Sequence, residues 1–175
     1  MPMSLKGLSM SGPEPGRPLE IVFVCTGNIC RSPMAEVMAR QEAERAGLGD
    51  AVIFSSCGMG HWHIGQPADR RAVVELRAGG YDGSTHRAAQ LGPEHMRADL
   101  FVAMDGGHAH ELAATGAPND KIRLLRSFDP GSDPSDDVAD PYYGTDRDFT
   151  LVRENIRDAL PGLLDWVREQ TSPAS

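Results

Sequence analysis

Residues 25–32 read Cys25-Thr26-Gly27-Asn28-Ile29-Cys30-Arg31-Ser32. Each residue type has a task if this segment curls around an oxyanion. A loop that closes into a helix N-terminus aims several backbone N–H groups at one point, where the helix dipole is also positive. Gly27 and Asn28 are residue types that accept φ > 0, which such a curl needs. Arg31 carries a planar, permanently charged fork that can grip two phosphate oxygens. A cysteine facing that positive focus is favoured as the nucleophilic thiolate, which makes Cys25 the candidate nucleophile. Ser32 can donate a hydroxyl hydrogen bond to its sulfur. The spacing alone also arises by chance, with the cysteine in a core and the arginine on a surface. What separates the two readings is where the segment falls in the fold. A G-x4-G-K-[ST] phosphate loop is absent from the chain.

The apolar run Ile21-Val22-Phe23-Val24 just before it suits a strand buried on both faces. After it, Ser32-Pro33 reads as an N-cap followed by proline at the first helical position, with Met34, Val37 and Met38 as the apolar stripe and Gly47 as the stop. Ala51–Phe54 and Leu100–Met104 read as further strands, and Ile122–Leu125 as a short fourth. Asp69–Ala78 reads as a helix ended by Gly79-Gly80, and Asp105 as the cap of a helix to Ala114. Phe149, Val152, Ile156, Leu160, Leu163 and Val167 step by three and four along a closing helix, which Pro161-Gly162 should kink or break. This alternation predicts an α/β fold: one three-layer domain, about four parallel strands with helices on both faces. Ligands of such sheets gather at the carboxyl ends of the strands, where the segment after Val24 lies.

Lys and Arg number 17 against 25 Asp and Glu, a net charge of −8. That excess argues against nucleic acid and against an anionic membrane as partners. Three cysteines make no closed disulfide framework, and a reducing compartment is expected. Residues 1–18 carry no apolar core of a secretory leader and read as a flexible extension. Residues 19–170 form the expected domain and 171–175 a loose tail, with a cytoplasmic location implied. Asp129, Asp133, Asp136, Asp137 and Asp140 crowd the segment after the fourth strand. Any of them could serve as an acid, and most are expected to be solvated loop residues. His61/His63 and His108/His110 form two H-x-H pairs without a companion ligand cluster, so neither metal nor organic cofactor is expected.

Val24 to Pro33 resembles the signature of the low-molecular-weight protein tyrosine phosphatases. Ser56-x-Gly58, Trp62-His63-x-Gly65-x-Pro67-x-Asp69, Thr85-His86-Arg87-Ala88-x-Gln90 and Asp140-Pro141-Tyr142-Tyr143-Gly144 continue the resemblance in order, across about residues 20–168. It implies a phosphatase of phosphotyrosine proteins that releases inorganic phosphate. Cys25 would be its nucleophile. Arg31 and the loop residues Thr26, Gly27, Asn28, Ile29, Cys30 and Ser32 would bind phosphate, with Asp140 as general acid and then base. It further implies pocket walls from Trp62, Tyr142 and Tyr143, loop support from Asn28, Ser56 and His86, and a monomer or weak self-association. In the family, a second cysteine placed like Cys30 can form a reversible disulfide with the nucleophile. Cys57 departs from the family's alanine and reads as a packing residue.

Two other functions share parts of this pattern. Thioredoxin-coupled arsenate reductases use the same fold and loop, but they need further cysteines downstream, and none follows Cys57. A module that only holds phosphotyrosine would not need the nucleophile, arginine, serine and acid together.

Overall fold

β1 (Leu19–Cys25) is the central strand, paired in parallel with β2 (Val52–Gly58) on one side and β3 (Leu100–Ala103) on the other. β4 (Ile122–Leu124) joins β3 at the edge, giving a parallel sheet in the order β2-β1-β3-β4. The chain therefore steps to one side of β1 and then crosses to the other. The carboxyl end of β1 is the switch point where open parallel sheets take their ligands. The structure is a computed structural model describing residues 16–172. Most of the expected extension, residues 1–15, and the end of the expected tail, 173–175, lie outside the described residues.

Among the described residues four α-helices cover the sheet: α1 (Arg31–Arg45), α2 (Arg70–Ala78), α3 (Gly106–Ala114) and α4 (Asp146–Thr171). Strand alternation sorts β1 between two cores. Leu19, Ile21, Phe23 and Cys25 pack with Met34 and Met38 of α1, Leu76 of α2 and the apolar stripe of α4. Val22 and Val24 pack on the opposite face with Cys57, Phe101 and Leu112 of α3. Each fully buried large apolar side chain contributes roughly 1.5–3 kcal/mol, so β1 is clamped from both faces.

Two local expectations need correction. α1 begins at Arg31 rather than after Ser32, and no side chain caps it. Ser32 is engaged elsewhere, as described below, which leaves the helix's first N–H groups facing the loop. α4 also runs unbroken through Pro161-Gly162. Proline costs a helix interior about 3 kcal/mol, and burial of Ile156, Ala159, Leu160, Leu163 and Leu164 around it outweighs that cost. α2, capped by Asp69, and α3, capped by Asp105, follow the sequence reading closely.

Candidate active site

The loop from Cys25 to Cys30 leaves β1 and enters α1 directly. Asn28 adopts φ 58°, the left-handed turn expected there. Its side chain ties the loop's rear together. Asn28 Nδ2 donates to Ser32 Oγ (2.8 Å) and Ser56 Oγ (2.9 Å), while Oδ1 accepts from Ala89 N–H (2.8 Å). His86 Nε2–H donates to the Asn28 carbonyl at 2.8 Å, and Ser56 Oγ donates to Glu36 at 2.5 Å. The chain leaving β2 runs on past the loop, with Met59 N–H bonded to Cys25 O and Gly60 N–H to Thr26 O, both 2.9 Å. A Cβ at Gly58 would lie 2.7 Å from Thr26 O, so only glycine lets the two segments meet.

Cys25 Sγ lies 2.9 Å from Ser32 Oγ. Ser32 Oγ accepts from Asn28 Nδ2 and has two partners within reach of its own proton, the Cys25 sulfur at 2.9 Å and the Cys57 carbonyl at 3.5 Å. Arg31 is buried, and its Nη1 donates to Asp105 Oδ2 (3.0 Å) and Val138 O (2.8 Å). Nη2 reaches Thr26 Oγ1 at 3.4 Å and stands 3.6 Å from Asp140 Oδ2. Burial alone would raise the Asp105 carboxyl, but the bond from His108 N–H, the His108 ring and Arg31 outweigh it and hold it low. His108 Nε2 meets Thr26 Oγ1 at 2.9 Å, and burial pushes that imidazole below its usual value. Its Nδ1 is 3.2 Å from Asp105 Oδ1 without hydrogen-bond alignment.

Cys25, Thr26, Gly27, Ile29, Cys30, Arg31, Trp62, His63, Asp140, Tyr142 and Tyr143 line one cavity of about 420 Å³. Asn28 and Ser32 stand behind it, fully buried, in the network with Ser56 and His86. Trp62 is 64% exposed at the mouth and is no core residue. Tyr142 and Tyr143 meet edge to face at 4.9 Å. Of the five aspartates after β4, only Asp140 lines the cavity. Asp129 and Asp133 close their own turns, Asp136 accepts from Asp133 N–H, and Asp137 accepts from Gly106 N–H at the start of α3.

Three contributors escaped the sequence reading. His63 lies against Gly27 in the cavity wall. Asp105 buttresses Arg31 as well as capping α3, and His108 touches the loop through Thr26. Asp105 follows the carboxyl end of β3, the position where strand-end residues meet a ligand, and that rule could have found it. Cys57 packs in the core on the sheet face opposite Cys25, and all three cysteines are free. Among the described residues no His, Cys, Asp and Glu cluster could hold a metal ion.

The family profile described as "Low molecular weight phosphotyrosine protein phosphatase" matches residues 20–173. The chain is 55% identical over 154 residues to low molecular weight protein-tyrosine phosphatase A of Mycobacterium tuberculosis, covering 87% of this chain and 94% of that protein. Among solved structures, a protein tyrosine phosphatase from Entamoeba histolytica superposes with TM-score 0.81 at 30% identity, covering 86% of this chain and 97% of that one. The YwlE arginine phosphatase from Geobacillus stearothermophilus superposes with TM-score 0.74 at 29% identity, covering 90% and 100%.

Proposed function

The chain belongs to the low molecular weight phosphotyrosine protein phosphatase family, and on that premise we propose that Cys25, Arg31 and Asp140 carry its reaction. It is a protein-tyrosine phosphatase, a hydrolase of phosphoproteins that works through a cysteine. The Cys25 thiolate attacks phosphorus while the guanidinium of Arg31 and the loop amides take the equatorial oxygens. The phosphorus–oxygen bond to tyrosine breaks, and the Asp140 carboxyl gives its proton to the leaving phenolic oxygen. A phosphocysteine results. The Asp140 carboxylate then takes a proton from water as that water attacks phosphorus, the sulfur–phosphorus bond breaks, and inorganic phosphate leaves. Thr26, Gly27, Ile29 and Cys30 contribute the cradle's backbone, and Asn28, Ser32, Ser56 and His86 keep its shape.

One observation carries this reading: a single cavity is lined by the buried thiol, the buttressed arginine and one carboxyl among five. Its walls favour an aryl ester. Trp62, Tyr142 and Tyr143 offer faces on which a phenyl ring stacks and Ile29 an apolar contact, and Asp140 is the only acidic lining residue available to a guanidinium. Phosphotyrosine should therefore be preferred over phosphoarginine and over the shorter phosphoserine. The arsenate reductase alternative is not favoured, since no cysteine follows Cys57 to relay a disulfide. Free thiols fit a reducing, cytoplasmic setting, and no helix among the described residues is long and apolar enough to cross a membrane. We assign the working species as a monomer or a weakly self-associating one.

The test is hydrolysis of a phosphotyrosine peptide in the presence of chelator by wild type, Cys25→Ser and Asp140→Asn. Wild type should turn over fully, Cys25→Ser should be inactive, and Asp140→Asn should lose on the order of 100- to 1,000-fold. An active Cys25→Ser, or turnover that needs added metal, would sink the mechanism. Equal rates on phosphoserine or phosphoarginine peptides would sink the specificity.

A further inference from the structure

Asp140 stands on an exposed segment, its side chain 47% accessible, yet that segment is fastened at both ends. Upstream, Val138 N–H bonds to Met104 O at the end of β3, and Val138 O accepts from Arg31, both at 2.8 Å. Downstream the fastening is Arg71, on the first turn of α2. Its Nη2 donates to Tyr142 O (2.9 Å) and its Nη1 to Gly144 O (3.4 Å). Its guanidinium carbon lies 4.5 Å from the centre of the Phe149 ring and 5.8 Å from that of Tyr142. Asp69 holds the same guanidinium through Nε to Oδ1 (3.1 Å) and Nη2 to Oδ2 (3.0 Å). Asp69 in turn is bound to the phosphate loop, its N–H donating to Ile29 O at 2.8 Å. An unbroken chain of bonds thus runs from the loop that holds phosphate, through Asp69 and Arg71, to the backbone on either side of Tyr143.

We propose that Asp69 and Arg71 are positioning residues that set the distance of the Asp140 carboxyl from the bridging oxygen, and so fit the enzyme to esters of poorly leaving phenols such as tyrosine. The inference rests on Asp140 being the general acid. A planar fork with five donors can serve two carbonyls and a carboxylate at once, whereas a lysine ammonium is a point charge. Burial works to raise the Asp69 carboxyl, but the bonds and charge of Arg71 outweigh it, so the anchor stays ionised and the fork stays in place. Neither residue lines the cavity, so neither touches the reacting atoms.

Proton donation matters most when the departing oxygen is a strong base. The experiment compares kcat/KM, which covers all steps through phosphorus–oxygen cleavage, on phenyl phosphate and on dinitrophenyl phosphate. Arg71→Met should lose on the order of 10- to 100-fold on phenyl phosphate and little on dinitrophenyl phosphate, whose leaving group needs no proton. Arg71→Lys should fall between Arg71→Met and wild type. In an Asp140→Asn background, Arg71→Met should add no selective loss. Equal proportional losses on both esters, from Arg71→Met or from the milder Arg71→Lys, would reveal a fold-stabilising ion pair and overturn the proposal. A selective Asp140→Asn beside an unselective Arg71→Met overturns the clamp alone. An unselective Asp140→Asn overturns the general-acid reading and the clamp with it.

Discussion

Cys25 and Cys30 stand at the two ends of one loop in different surroundings. Cys25 faces the Ser32 hydroxyl at 2.9 Å. Cys30 is pushed far up by burial first, then by Asp69, Cys25 and Asp140, so it stays a neutral thiol and does not compete for phosphorus. It can still guard its neighbour. Peroxide converts the Cys25 thiolate to a sulfenic acid, and attack by the Cys30 sulfur then forms the disulfide, releasing the hydroxyl as water with the Cys30 proton. Non-reducing peptide mapping after peroxide treatment should find Cys25 linked to Cys30, with activity restored by a dithiol reductant. Cys30→Ser should instead proceed to forms that no reductant rescues. Absence of the linked peptide in wild type removes the guard. Because Cys30 ionises reluctantly, closure should quicken as pH rises. At this scale the sequence was informative where a residue type has one use, as with Cys25, Arg31 and Ser32. It was mute where the use depends on a distant partner. Nothing in the order of residues says that Arg71 reaches Tyr142 and Gly144, or that His108 meets Thr26.

Among the elements, α4 shows why a local signal can be right about a residue and wrong about its effect. Pro161-Gly162 reads as a kink or a break, yet the helix continues because burial on both sides of the pair holds it. The glycine's purpose lies across the interface. A Cβ on Gly162 would stand 2.1 Å from the Phe128 carbonyl oxygen, at the end of the 3₁₀ turn Leu125–Phe128 from which the acid-bearing segment departs. In a helix with free space, glycine to alanine stabilises by about 1 kcal/mol. Gly162→Ala should do the opposite, lowering stability by roughly 1–3 kcal/mol as the helix is pushed off Phe128. The check is a drop in the denaturant midpoint at unchanged slope, and a rise would show that the approach is not tight. The strands were legible because residues 21–24 of β1 and the whole of β3 are continuous apolar runs, buried on both faces. The start of α1 was not. Its cap-like serine is drawn back into the phosphate loop, to Asn28 and Cys25, instead of onto the helix's own N–H groups.

Over the whole molecule the net charge of −8 says little about the site, where Arg31 and the N-terminus of α1 concentrate positive potential within an acidic protein. The titration that couples fold to site is that of two histidines behind the phosphate loop. Burial lowers His86 and His108 from the ordinary value of 6.5. His86 faces Glu36, Arg40 and Arg87 and bonds to the Asn28 carbonyl; His108 faces Asp105, Arg31, Asp140 and Asp137 and bonds to Thr26. Well above 6.5 both are neutral in the folded and unfolded chain. As pH falls below that value the unfolded chain takes up protons that the folded protein refuses, so stability declines until the folded-state values are reached. Asp69 and Asp105, held below the ordinary 3.8, contribute stability that is lost only further down, as pH falls from 3.8 through their folded values. The mildly acidic window therefore belongs to the histidines. Thermal melts between about pH 7 and about pH 5 should show the midpoint falling in wild type and falling less steeply in His108→Gln, which keeps a hydrogen-bonding side chain near Thr26 but takes up no proton. An unchanged slope in that variant would mean that His108 is charged in the folded protein, and the phosphate loop would then carry a second cation beside Arg31.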